Sequence, residues 1–251
     1  MSRVQSIERA FAVLGALTDG PIGVTELAER VELPKSTAAR MLASLAREGA
    51  VEQLPGETRY QLGPRIESLA TGLVTARSVV AIARPHLAEL AASIGEAAGL
   101  SVPDGDTVHY IDQVDSDHPV GVRDWTGARL ALHAVSSGLA VLAHRSPARI
   151  DAYLAKPLEP FTERTMTDPD QVRARLRRIQ LDGYAWTNSE YADGIASVAA
   201  AIADPSGEIV AAVHVHGPAY RFPPAGREAA LGLQVVSTAT RITRRLRQTE
   251  A

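Results

Sequence analysis

Apolar residues near the start of the chain repeat at helical spacing in three separate runs. Ile7, Ala10, Phe11, Leu14 and Leu17 recur every three or four positions, which predicts a helix that stops at Asp19-Gly20-Pro21. Thr25 is placed to cap a second helix whose inner face is Leu27, Ala28 and Val31, and Leu33-Pro34 breaks it. A third runs from about Lys35 to Glu48, with Ala38, Met41, Leu42 and Leu45 inward and Gly49 as its stop. The segment "VEQLPGETRYQLG" then carries two short strand patterns around Pro55-Gly56, which predicts a hairpin. Pro64 opens a further helical run with Ile66, Leu69, Ala70 and Leu73 on one stripe. The helical pattern resumes in "SVVAIARPHLAELAASIG", where Pro85 is expected to start a fresh segment or a kink.

Beyond Arg77 the pattern changes to strands with helices between them. "AAGLSVPDGDTVHYIDQV" reads as strand, turn, strand, and "ASVAAAIADPSGEIVAAVHVHG" repeats that design around Asp204-Pro205-Ser206-Gly207. Helices are predicted around 137–144, 147–156 and 170–181, and a last one from about Pro224 to the basic end at Arg241, Arg244, Arg245 and Arg247. The expected architecture is α+β: three helices and a hairpin over residues 1–63, a connecting and dimerising helix over 64–77, and an antiparallel-sheet domain over 78–251 with its helices on one face.

Composition narrows the classes. A chain of 251 residues that is 45 % hydrophobic and 22 % charged can bury a core in each of two domains. No apolar run approaches the roughly 20 residues of a membrane span, and Arg3, Glu8 and Arg9 do not read as a secretory signal, so a cytoplasmic location is expected. Absence of cysteine removes disulfides and thiolate metal sites. The net charge of −3 gives no global argument for nucleic acid, and residues 1–77 hold nine Lys/Arg against nine Asp/Glu. Any case for DNA must rest on where charges point.

They point along the third helix. At about 100° per residue, Ser36, Arg40, Ala43 and Arg47 share the side opposite Ala38 and Leu42. A small and basic line lets a helix sit deep in a major groove about 12 Å wide. There Arg40 can pair with guanine edges, and Ser36, Thr37 and Lys35 meet bases or phosphates at the helix N-terminus. Arg59 on the hairpin is placed to grip the backbone as a wing does. A solvated polar face on a core helix is the bland account of the same line. The tight helix pair followed at once by a hairpin, at winged-helix spacing, favours DNA.

"SIERAFAVLGAL", "VTELAERVELPKSTAARMLASLAREGAVE" and "YQLGPRIESLATG" resemble the N-terminal domain of IclR-type transcriptional regulators. The resemblance continues through "GARLALHAVSSGLAVLA" and "IQLDGYAWTNSEYADGIASVAAAIADPSGEIVAAVHVHGP", and so covers nearly the whole chain. It implies a winged helix-turn-helix domain joined by a linker helix to a GAF-like effector-binding domain. The protein it implies is a transcriptional regulator, read as a repressor although the sequence does not carry the sign of regulation, a homodimer or tetramer on a pseudo-palindromic double-stranded operator, controlled by a carboxylate or aromatic-acid effector. Matched position by position, effector contacts fall on Leu130, Ser136, Ser137, Thr187, Ile195, Ser197, His214 and His216. Two departures stand out: Glu32 occupies the place of the turn glycine, and Ala38 that of a larger apolar residue.

His214 and His216 are two apart on a strand, so their rings share a face. Relatives that sense small keto acids tend to carry small hydroxyl residues there. The imidazoles are open to three readings: contact with an anionic or phenolic effector, satisfied structural histidines, or metal ligands completed by Glu190 or His133. Ser136 or Ser137 with His133 suggests a hydrolase triad on paper, but no G-x-S-x-G, H-E-x-x-H or phosphate-binding glycine loop supports an enzyme. No catalytic residue, resident metal or cofactor is therefore expected. "RARLRRIQ" at 173–180 is read as a solvated helix face. The rival reading is a ligand sensor that acts through protein contacts, with the winged helix as the partner surface.

Overall fold

The computed structural model describes residues 5–119 and 121–249, with the side chains of 5, 67–78 and 249 outside the description. The chain divides into two compact units, one ending at Thr75 and the other starting at Ala76.

The first unit contains α1 (Gln5–Ala16), β1 (Ile22–Gly23), α2 (Val24–Arg30), α3 (Lys35–Arg47), β2 (Val51–Gln53), β3 (Arg59–Leu62) and the start of α4 (Pro64–Ile94). Its core is Val13, Leu17, Ile22, Leu27, Leu42 and Val51, with Met41 and Leu45 packed at the edge. The hairpin of β2 and β3 gains a third strand, because Ile22 pairs with Tyr60 and Gly23 with Arg59. That pairing also corrects the start of α2. Gly23, fixed in extended backbone by the sheet, occupies the cap position, so Thr25 lies inside the helix. Between α2 and α3, Glu32 adopts φ 51°, the left-handed conformation that suits glycine.

In the second unit six antiparallel strands lie in the order β6-β5-β4-β9-β8-β7. They are β4 (Ala97–Asp104), β5 (Thr107–Val114), β6 (Arg129–Ala131), β7 (Ala185–Asn188), β8 (Ile195–Ala203) and β9 (Ile209–Pro218). The helices are α5 (Ser136–Ala143), α6 (Pro147–Leu154), α7 (Pro169–Asp182) and α8 (Glu228–Thr249). The expectation of helices on one face is overturned. Val79, Ala83, Leu87 and Leu90 of α4 and Val235, Ala239 and Ile242 of α8 cover one side, meeting Leu100, Val198, Val213 and Val215. Leu139 and Leu142 of α5, Tyr153 of α6 and Leu176 of α7 cover the other, meeting Tyr110, Ala199 and Ala212. Strand β9 is buried from Ala211 to Pro218 without alternation, as two covered faces require.

Nor does Pro85 divide α4, which continues to Ile94. Proline removes one bond, to the carbonyl four residues back, but the row Val79, Ala83, Leu87, Leu90 is seated on the sheet on both sides of it. Burial of that row offsets the lost bond. Among the described residues, no helix is long and apolar enough to cross a membrane.

Candidate functional site

Two places bring the expected residues together, one in each unit. In the first, α3 buries Ala38 and Leu42 and exposes Ser36, Arg40, Ala43 and Arg47 on the opposite side. Lys35 is exposed at the helix start and Thr37 is half-buried. Pro34 caps the helix without a side-chain bond, which leaves the positive end of the helix dipole open to an anion. Arg40 makes no hydrogen bond or ion pair among the described residues. Among the described residues Arg47 reaches only Ser44 Oγ, at 3.3 Å. Arg59 differs: its Nε donates to Glu57 Oε2 at 2.6 Å, so any phosphate it meets must compete with a carboxylate.

In the second unit a small cavity of about 40 Å³ opens on the face covered by α5 to α7. Of the eight predicted effector residues, Leu130, Thr187, Ile195, Ser197 and His216 line it. Ser136, Ser137 and His214 do not; they stand directly behind the wall. Ser136 Oγ lies 2.6 Å from Ser197 Oγ, and Ser137 Oγ lies 3.1 Å from the Tyr110 hydroxyl. Neither serine bonds His133, which instead meets Tyr153 Oη at 2.8 Å through Nδ1 and the Glu159 carbonyl at 3.0 Å through Nε2. The triad arrangement is absent. His133 orders the loop that leads into α5.

Close backbone approach sets this geometry. A Cβ on Gly138 would stand 2.5 Å from the Leu132 carbonyl oxygen, so only glycine lets the loop fold tightly against the first turn of α5. Val135 caps that helix in extended backbone with no side-chain bond. Its first amides therefore lack a capping side chain in a buried setting.

His214 and His216 are 0 % and 4 % exposed, with ring centroids 5.6 Å apart. None of their four ring nitrogens has a hydrogen-bond partner among the described residues. Burial holds the His214 pKa well below its usual value, with His216 adding to the shift, and burial pushes His216 down to about 4 against the opposing pull of Asp115 and Asp124. Both rings are neutral at pH 7. Burial also pushes the Tyr110 phenol up to about 12, so it remains a donor.

Three further wall residues carry no sequence signal of their role, and a fourth, Glu190, enters the sequence reading only as a possible metal ligand. Tyr110, Trp125, Tyr191 and Glu190 all line the cavity. Glu190 is held by Arg175 of α7, whose Nη1 donates to Oε2 at 2.6 Å and Nη2 to Oε1 at 2.9 Å. Arg175 thus departs from the solvated face expected of "RARLRRIQ". Neither proposed third metal ligand is available, since Glu190 is committed to Arg175 and His133 to Tyr153. The rings form a continuous series, Trp125 to Tyr191 (5.6 Å), Tyr191 to Phe161 (4.9 Å), Phe161 to His133 (6.0 Å) and His133 to Tyr153 (6.1 Å).

Comparison with known proteins adds three kinds of finding. Residues 6–55 match the IclR helix-turn-helix domain, and residues 71–244 match the bacterial transcriptional regulator IclR C-terminal domain. The HTH-type transcriptional regulator Rv1719 of Mycobacterium tuberculosis is 37 % identical over 231 residues, 91 % of this chain and 87 % of that one. The transcriptional repressor IclR of Escherichia coli is 29 % identical, over 96 % of this chain and 89 % of its own. Among solved structures, an IclR homolog from Microbacterium hydrocarbonoxydans complexed with 4-hydroxybenzoate is 25 % identical, with a TM-score of 0.63 over 96 % of this chain and 98 % of that one.

Proposed function

The chain belongs to the IclR family of bacterial transcriptional regulators, and from that premise we propose that it is an effector-controlled repressor of a pseudo-palindromic operator. The observation that carries the reading is Arg40, exposed at the centre of a small outward line on α3 and without a hydrogen bond or ion pair among the described residues. A guanidinium so placed can make the bidentate contact with guanine that specifies sequence. Lys35, Ser36, Thr37 and Arg47 supply flanking contacts from the same helix, and Arg59 supplies one from the hairpin.

The two-fold operator follows from a homodimer, paired through the helix over 64–77 that joins the winged helix (1–63) to the effector domain (78–251). Two such dimers give a tetramer. A cytoplasmic location accords with action on DNA. For the effector we propose a small carboxylic acid, including aromatic acids. Its carboxylate lies at the Val135 end of the cavity, where α5 begins without a capping side chain, and its body lies among Leu130, Thr187, Ile195 and the rings of Trp125 and Tyr191. The 4-hydroxybenzoate bound by the Microbacterium homolog supports an acid of that class. No catalysis is proposed, which accords with the separation of Ser136 and Ser137 from His133.

A footprint on the DNA upstream of the protein's own gene tests the reading. Protection of a defined palindrome, lost when an acid effector is added, is the expected result; sequence-blind, salt-sensitive binding would overturn it. One observation favours a second reading, a sensor acting through protein contacts: Ile7 and Phe11 stand one turn apart on α1, 54 % and 70 % exposed. The same footprint separates the two, because a protein-contact sensor protects no palindrome.

A further inference from the structure

Helix α5 runs from the cavity described above to a second one. Val135, its cap, belongs to the first. At its far end His144, Arg145 and Ser146 turn the chain into α6, and a cavity of about 270 Å³ opens there against the turn between β8 and β9. The two cavities share no lining residue. The charged lining of the second is mainly basic, with Arg145, Arg149 and His144 against one carboxylate, Glu208.

Arg145 is the unusual member. Its side chain is only 16 % exposed, yet the one carboxylate it reaches among the described residues, that of Asp106, stands 3.9 Å away. Lys156 already holds the same carboxylate at 2.5 Å. Arg145 Nη2 donates to the Gly105 carbonyl, which brings no charge. Burial, and to a smaller degree the nearby Arg149, work against the charge on Arg145, while Asp106 supports it. Arg149 is exposed, and its guanidinium has no hydrogen bond or ion pair among the described residues. Glu208, exposed on the turn, pairs with neither arginine. Two like charges, one of them largely desolvated, thus meet at a cavity with no close counter-ion between them, a cost that an anion removes.

We propose that the corner between α5 and α6 is a second ligand site, which takes a phosphate group between Arg145 and Arg149. A phosphate monoester carries about −1.5 to −2 charges near pH 7 and so matches two guanidiniums, where a carboxylate matches one. Its oxygens accept the paired N–H groups of each arginine. Ser146 lines the same corner, and because its Oγ accepts from the Arg149 amide its own hydroxyl hydrogen is left to donate. The start of α6 adds little by itself, since Pro147 has no amide hydrogen and Ser146 already takes that of Arg149. The phosphate can be free or part of a small metabolite, and the volume leaves room for an organic group beside it. This site is independent of the acid effector proposed for the first cavity.

The experiment is calorimetric titration and thermal shift of the full chain with inorganic phosphate and with ethyl phosphate, against sodium chloride at matched ionic strength. The expected result is saturable binding and a rise in melting temperature beyond the chloride reference. Arg149→Gln, at an exposed side chain whose loss does not threaten the fold, weakens binding at least tenfold. Arg149→Lys keeps the charge without the fork and recovers part of it, and Glu208→Gln tightens binding by removing the opposing carboxylate. Tighter binding of the ester identifies a phosphorylated metabolite as the source, and equal affinity identifies free phosphate. No saturable binding beyond chloride overturns the proposal, as does binding that Arg149→Gln leaves unchanged. Binding lost in Arg40→Ala but kept in Arg149→Gln places the phosphate on α3 and overturns it too, while the DNA reading stands.

Discussion

Gly99 and His214 are cross-strand neighbours on β4 and β9, and the His214 Nε2 stands 2.4 Å from where a Cβ at position 99 would be. The glycine is what allows a full imidazole to lie flat in the sheet interior. Gly99→Ala should destabilise the protein by about 1–3 kcal/mol, the usual cost of overpacking a core. Adding His214→Ala should recover much of that loss, since the two substitutions share one volume. Denaturant melts of the single and double variants measure the coupling, and simple additivity would show that the ring is not held by Gly99.

The buried histidines also predict an acid limb. Burial lowers both folded pKa values below the unfolded value near 6.5, so the unfolded chain binds more protons in acid. Stability is therefore complete above about pH 6.5 and is lost as pH falls toward 4, where the His216 contribution levels off. A shift from 6.5 to about 4 corresponds to about 3 kcal/mol for His216. The groups that face the ring are His214, Tyr110, Ser197 and the carboxylates of Asp115 and Asp124, and the latter two temper the loss. Melting temperatures of wild type and His216→Gln between pH 7.5 and 4.5 are the check: the variant should lose less on acidification.

On α3, Arg40→Ala should weaken specific operator binding by about 1–3 kcal/mol and relax sequence preference at one position of each half-site. Glu57→Ala should do the opposite at the wing. It frees Arg59 from a 2.6 Å bond to a carboxylate, and so should tighten binding to all sequences and steepen the salt dependence. Gel shifts across a salt series on operator and mutated DNA distinguish the two effects.

Glu32 gives the simplest stability test. With φ at 51° it carries the penalty of a left-handed side-chain-bearing residue, and it is exposed, so relief of that penalty is opposed chiefly by the greater backbone freedom glycine gives the unfolded chain. Glu32→Gly should stabilise the protein by about 1 kcal/mol, read from the denaturant midpoint.

Much of this arrangement is legible in the chain because local signals and tertiary packing agree. The Pro-Asp-Gly and Asp-Pro-Ser-Gly turns mark β4–β5 and β8–β9, and the inward row of Ala38 and Leu42 fixes which side of α3 is free. Where packing overrules a local signal, the sequence misleads. Pro85 reads as a break, yet the seated row from Val79 to Leu90 carries α4 through it. Thr25 reads as a cap, yet the pairing of Gly23 with Arg59 starts the helix two residues earlier. Strands β6 and β7, of three and four residues, are too short to show a period. The cavity walls from Trp125, Tyr191 and Glu190 come from loops, where no periodicity exists, and Arg175 finds Glu190 only in three dimensions.

The series of rings from Trp125 through Tyr191, Phe161 and His133 to Tyr153 has a consequence for timing. Two of its members wall the cavity, and the last belongs to α6. The effector proposed above lies against Trp125 and Tyr191, and their packing continues through Phe161 and His133 to α6, so its release is expected to be sensitive to substitutions at Phe161 and Tyr153, which do not line the cavity.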